Sequence, residues 1–369
     1  MPGWRSSYSI PRGLPEYLIA SEIVLFLEDI EAESARHAGN SRRGWSPTEQ
    51  LHRWAGLFGP APLSADLVHQ VLDILRQRAR HPRDELAYAC REPLSRLIGV
   101  VLTHDFPRAA MPPGESLAEC LAWSRNAGEA LLVLTSACAE VSGARAHIEE
   151  PAPGSFGNWL RRLQPQRVGR ETSLSLAHLR RLDLSEVRLP LADLHGANFK
   201  QTDLAYADLD GANLEKADLT AAKLARADLV GACLVDAIMH TVDLTEARLD
   251  EVDANGIDLS EALMVEACLS SARLAGADLA DAALTSADLS NADLSHADLS
   301  RAICIGANFS GADLTGANLT MADLEGANLS DAVLSTANLR FTKLAEASCN
   351  AGTRWPAGFD HRRAGVEES

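Results

Sequence analysis

Residues 276–295 read Gly-Ala-Asp-Leu-Ala-Asp-Ala-Ala-Leu-Thr-Ser-Ala-Asp-Leu-Ser-Asn-Ala-Asp-Leu-Ser, and their reading decides the fold. Leucine returns every fifth residue, alanine stands two residues before it, and aspartate fills most of the gaps between. The frame extends outward in both directions. From Leu174 to Cys349 there are 36 such units without an insertion, with 29 Leu and two Phe (Phe199, Phe309) at the centre and Ala two residues earlier in 28 of them. The other centres are Met239, Ala254, Met264, Cys304 and Cys349.

A five-residue step advances an α-helix by about 500°, so successive leucines would lie about 140° apart and form no buried stripe. The period excludes helix. Ala, polar, Leu is instead the in-out-in alternation of a very short strand, and the next two residues must turn the chain. The nine glycines between 171 and 350 all stand two residues after a centre, where a turn with positive φ requires them. A chain that turns with one hand after every short strand coils into a solenoid filled by Leu and Ala.

These residues resemble the pentapeptide-repeat proteins, over about 176 residues, with A-(D/N)-L-x-x as the unit. The resemblance implies a right-handed quadrilateral parallel β-helix of four units per coil, about nine coils and roughly 43 Å long at a spacing of about 4.8 Å. It also implies that the centre residue and the preceding Ala point inward and the other three positions outward. Cys304 and Cys349, at centre positions, then read as small core residues.

The coil over 252–269 departs from the pattern. Its centres are Ala254, Leu259, Met264 and Leu269, and Val252 and Ile257 replace the usual Ala. Ile257 and Met264 are expected to fill the volume that a leucine at 254 would have occupied.

Composition divides the chain near residue 170. All six Trp and 15 of the 16 Pro lie outside 171–350, while that stretch carries 29 acidic and 12 basic residues, a net of −17 that is the whole charge of the chain. Such a balance argues against binding nucleic acid directly or adhering to an anionic membrane. No apolar run reaches the length of a membrane span. Seven cysteines without a CxxC pair, and no secretory signal at Met1, point away from a disulfide framework or zinc site and toward the cytoplasm.

Residues 1–165 show helical periodicity, with Leu18, Ile19, Ile23, Val24, Leu27 and Ile30 on one face. A capping box with proline at its first position, Ser46-Pro47-Thr48-Glu49, opens a second helix. Further helices are expected over 64–79, 84–103, 117–141 (with a break near Asn126-Ala127-Gly128) and 155–163. The expected organisation is an all-α domain over 1–165, the β-helix over 171–350, and a cap and tail over 351–369. Phe156, Trp159, Leu160 and Leu163 are expected to close one end of the solenoid, Trp355 and Phe359 the other.

No P-loop, GxGxxG, GxSxG or HExxH occurs, and Cys90 and His104 make no convincing dyad. The reading is an interaction protein without catalytic, cofactor or metal residues. Two outer surfaces are candidates for a protein partner. One is an acidic ladder, His178, Asn198, Asp218, Ile238, Asp258, Asp278, Asp298, Asn318 and Asn338. The other is an aliphatic island, Leu263, Val265, Ile303 and Ile305, which a partner, a second copy in a homodimer, or the amino-terminal domain could cover. The resemblance adds a sharper alternative. Fluoroquinolone-resistance members imitate duplex DNA at type II topoisomerases such as DNA gyrase, and Asp258, Asp278 and Asp298 would carry that mimicry here. Against it stand the repeat's default acidity and the lack of any insertion that could form a projecting loop.

Overall fold

The computed structural model describes residues 20, 23–30, 49–50, 53–54, 67, 70–71, 73–75, 86–104, 117–142, 144–148, 151–152, 155–163 and 179–368. The chain divides into two compact units, 1–183 and 184–369. Leu174, His178 and Ser46-Pro47-Thr48 lie outside the described residues, as does the side chain of Leu163.

In the first unit the 23–30 segment is helical and buries Ile23, Val24, Phe26, Leu27 and Ile30. Two longer helices follow, α1 (Leu86–His104) and α2 (Leu117–Ser142), then the two-residue strand β1 (Ala146–His147) and helix α3 (Ser155–Leu163). The expected break in α2 does not occur. Asn126 and Ala127 are fully buried and the Trp54 indole donates to the Ala127 carbonyl at 2.9 Å, so packing outweighs the cost of about 1 kcal/mol for Gly128. Nor is this unit purely helical, since β1 pairs in parallel with β2 (Leu182–Asp183), the strand that leads into the repeats. The Cys90 thiol donates to the Leu27 carbonyl at 3.0 Å.

The second unit is the solenoid. Parallel bridges join residues twenty apart, as in Asp258↔Asp278↔Asp298 and Leu263↔Ala283↔Ile303, so four units make one coil and four ladders run along it. The Ala and Leu positions are buried from Leu184 through Leu334 almost without exception, and the intervening residue is outward. Each fully buried Leu contributes about 1.5–3 kcal/mol. The turn residue two after the centre has positive φ in every unit from Arg181 to Glu346, at 25 non-glycine positions and nine glycines. Left-handed backbone costs an L-residue roughly 1–2 kcal/mol, so each turn draws on the burial of its neighbouring Leu and Ala.

The backbone of one unit shows how complete the hydrogen bonding is. Ala277 N–H closes the turn onto Leu274 O at 3.1 Å, Asp278 N–H reaches back one coil to Ile257 O at 2.9 Å, and Leu279 and Asp281 reach forward to Asp298 O and Ser300 O at 2.7 and 3.0 Å. Only the Ala280 N–H lacks a backbone acceptor, and the Asp278 carboxylate takes it at 3.0 Å. An Asp or Asn before the centre therefore has a local role: its side chain completes the backbone of its own unit.

At the carboxy-terminal end, β3 (Ser348–Cys349) pairs in parallel with β4 (Glu367–Glu368). An extra residue after Cys349 changes the spacing of the last bridge, Val333↔Arg354. Trp355 stacks on Phe359 with ring centres 5.2 Å apart and lies parallel to His361 at 5.4 Å, within the segment between the two strands.

Candidate interaction surface

The acidic ladder and two residues of the aliphatic island, Leu263 and Ile303, occupy the same position in the unit, one residue before the centre, while Val265 and Ile305 stand one residue after it. In 19 units an Asp or Asn there accepts the N–H two residues on, including Asp218 at 3.1 Å, Asp258 at 3.1 Å, Asp278 at 3.0 Å and Asp298 at 2.8 Å. Burial alone would raise the Asp218 carboxyl. Lys200, at 2.7 Å, and the Thr220 hydroxyl and N–H outweigh it and hold Asp218 below the ordinary carboxylate range.

Many of the acids are neutralised where they stand. Lys or Arg pairs with Asp203, Glu215, Asp218, Asp228, Glu246, Asp253, Asp281 and Asp323, six of them across one coil spacing. Arg301 grips Asp281 through Nε at 2.7 Å and keeps that carboxyl low. Arg226 bonds Glu246 and the Tyr206 hydroxyl and lies 5.7 Å over the Tyr206 ring. The ladder that remains is short: Asp258, Asp278 and Asp298, with Ile238 before it and Asn318 after it. Asn318 Nδ2 donates to Asp298 at 3.0 Å, which further spreads that charge.

Leu263 and Ile303 lie on a neighbouring ladder with Ala283 between them, and both are exposed, at 49% and 45%, as is Ile305. Val265 is half-buried, less open than its outward position implies, because the residue after the centre is tucked into the turn. An aliphatic side chain before the centre cannot accept the fifth N–H, so Leu263 and Ile303 do nothing for their own units that Asp would not do better. Sequence reasoning missed Met321 and Phe341, 57% and 78% exposed, both at the positive-φ turn position and one coil apart on a single corner. Their signal was available: large apolar residues at a turn position that the repeat fills mostly with glycine, polar or charged residues, Leu191 and Tyr206 being the other large exceptions.

Among the described residues no group of His, Cys, Asp and Glu is arranged to hold a metal, and no helix is long and apolar enough to cross a membrane. Burial pushes the Cys138 and Cys304 thiols up to about 12, which leaves them inert as nucleophiles.

The sequence profile for pentapeptide repeats matches eight copies within residues 172–240 and 243–348. HetL, a pentapeptide-repeat protein involved in heterocyst differentiation regulation in the cyanobacterium Nostoc, is 34% identical over 46% of this chain and 81% of its own, with a TM-score of 0.24. The chain belongs to the pentapeptide-repeat family. A second pentapeptide-repeat protein from Nostoc, alr5209, is 38% identical over 30% of this chain and 84% of its own, with a TM-score of 0.22. QnrB1, a plasmid-mediated fluoroquinolone resistance protein, is 22% identical over 49% of this chain and 87% of its own, with a TM-score of 0.26. No curated protein matches. The pentapeptide-repeat assignment agrees with the twenty-residue bridge spacing and with the inward Ala and Leu.

Proposed function

We propose that this pentapeptide-repeat protein is a non-enzymatic scaffold that binds a protein partner through the aliphatic patch of Leu263, Ile303 and Ile305, with Val265 at its floor. The observation that carries this reading is the exchange of Asp for Leu and Ile at positions where Asp completes the backbone. Exposed aliphatics there cost the solenoid a hydrogen bond and gain it no core, so their use lies outside the chain. Rigidity supports the role, since the patch rides on ladders in which each unit is bonded to the coils on both sides.

The competing reading, an acidic surface that stands in for duplex DNA at DNA gyrase or another type II topoisomerase, has weaker support. Three aspartates at about 4.8 Å spacing give three charges over about 10 Å, whereas duplex DNA carries one per about 1.7 Å of axis, roughly six over that length. The carboxylates also have a structural task that accounts for their presence.

The deciding experiment compares three full-length proteins: wild type, Leu263→Asn with Ile303→Asn, and Asp258→Asn with Asp278→Asn and Asp298→Asn. Each is used for affinity capture from cells and for inhibition of gyrase supercoiling. The scaffold reading expects a specific partner that is lost with the first variant and kept with the second, and no inhibition of gyrase. Salt-sensitive gyrase inhibition that the Asp→Asn variant abolishes would establish mimicry instead.

A further inference from the structure

Short parallel strands are added in both units, and at the carboxy-terminal end of the solenoid the added strand closes the coil only in part. In the first unit, β1 lies along β2 in parallel register, Ala146 N–H donating to Arg181 O and Ile148 N–H to Asp183 O, while His147 Nδ1 meets the Asp183 carboxylate at 2.9 Å. At the carboxy-terminal end, β4 does the same for Ser348–Cys349, and Arg354 O accepts from Leu334 N–H. The two remaining ladders end at Asn338 and Lys343.

There the backbone ladder stops, at the exposed Phe341 on one side and the buried Leu344 on the other. On the preceding coil the N–H groups of Leu319, Met321 and Leu324 donate forward to Asn338, Arg340 and Lys343. Their counterparts Leu339, Phe341 and Leu344 have no backbone acceptor among the described residues, and the carbonyls of Ala337 and Thr342 receive no backbone donor. The side chains beside this edge are unusual for this protein. Phe341 is 78% exposed, Leu339 is half-buried although it is a centre leucine, and Arg340 and Lys343 face outward on a solenoid that is elsewhere acidic.

We propose that this edge accepts an acidic, apolar extended segment of a partner protein as one further parallel rung, with a carboxylate set against Lys343. Charge selects the occupant. Along these ladders a cation stands one coil from an acid again and again: Lys343 on Asp323 at 2.7 Å, Arg248 on Asp228 at 2.7 Å, Arg273 on Asp253 at 3.6 Å. β1 in the first unit follows the same rule, with His147 beside Asp183. An acid beyond Lys343 continues it, whereas a second copy meeting this edge about a two-fold axis would set Lys343 and Arg340 near their own kind. Strand addition supplies affinity through the free N–H and C=O groups, and the apolar residues of the guest cover Leu339 and Phe341. This edge is separate from the aliphatic patch, and either proposal can fail alone.

The probe is a synthetic peptide with the sequence of residues 316–325, Gly-Ala-Asn-Leu-Thr-Met-Ala-Asp-Leu-Glu, which in register places its Asp opposite Lys343. Amide hydrogen exchange on the full-length protein should show Leu339, Phe341 and Leu344 exchanging fast alone and slowing with excess peptide, while Leu319, Met321 and Leu324 stay protected throughout. In a fluorescence-anisotropy titration, Lys343→Glu should weaken the peptide about fivefold and a peptide with Lys in place of its Asp should recover the loss, as one exposed ion pair allows. The proposal is overturned if the three amides are already protected in the free chain, if saturating peptide protects none of them, if the Asp and Lys peptides bind alike, or if sedimentation shows the edge occupied by a second copy.

Discussion

The stretches 272–334 and 252–269 lie side by side in one solenoid and solve the same problem differently. In the first, Ala and Leu or Phe fill the interior, Cys304 apart, and Asp or Asn stands before most centres. In the second, Ala254 and Met264 stand in place of leucines, Val252 and Ile257 in place of alanines, and all four are buried. The backbone records the adjustment. Turn bonds in the regular stretch are 3.0–3.1 Å, while Val252 to Leu249 and Ile257 to Ala254 stretch to 3.4 and 3.3 Å. Inside, then, one smaller side chain at 254 is accompanied by larger ones at 252 and 257. Outside, Leu263 replaces an Asp with no compensation at all. The difference separates changes the fold absorbs from changes it does not need, and the second kind points to a partner.

The strongest way to break this comparison is Ile257→Ala. If Ile257 fills the missing leucine's space, its truncation should cost about 2–4 kcal/mol in thermal or denaturant melting. Ala277→Gly in the regular stretch should cost about 1 kcal/mol or less. Equal losses would refute the repacking.

Next in size is the test of the Asp ladder. Replacing Asp258, Asp278 and Asp298 together by Ala should cost about 1 kcal/mol per site by leaving three N–H groups without their acceptor. The triple Asn variant should melt like wild type, because an amide oxygen accepts as the carboxylate does. A large loss in the Asn variant would show that the charge itself stabilises the solenoid.

Acid offers a third check. The Asp218 carboxyl is held low in the fold, so its share of stability is present above the ordinary carboxylate range and disappears as pH falls through the lowered folded value. Asp218→Asn should therefore flatten the acid limb of the melting curve below about pH 4, and an unchanged limb would mean that the Lys200 and Thr220 contacts contribute nothing.

The smallest expected effect is Leu263→Asn with Ile303→Asn. It should leave the melting temperature unchanged or slightly raised, since Asn can accept the free N–H, while abolishing partner capture. A loss of several degrees would place these side chains in the stability of the fold instead.

Most of the solenoid was legible in the sequence because a period of five admits so few backbones, and glycine marked the turn before any coordinate did. The reason for aspartate was not legible. Counting acids cannot distinguish a charge displayed to a partner from an oxygen turned onto Ala280 N–H. The end strands were missed for a related reason: Ala146–His147 and Glu367–Glu368 are two-residue pairings made by partners far along the chain, with no local pattern to announce them. Gly128 misled in the opposite direction, since its helix is held by the distant Trp54.

The positive-φ turns have a consequence for how such a protein changes over time. With 25 non-glycine residues already at φ between 55° and 64°, the corner backbone is the same whether Glu, Ser, Arg, Met or Phe occupies it. Side-chain identity at these corners is nearly decoupled from folding, and the corners repeat on a lattice fixed by the coil spacing. Each corner is thus an address that can be rewritten one residue at a time, and a new binding surface can be composed without the molecule passing through an unfolded intermediate sequence.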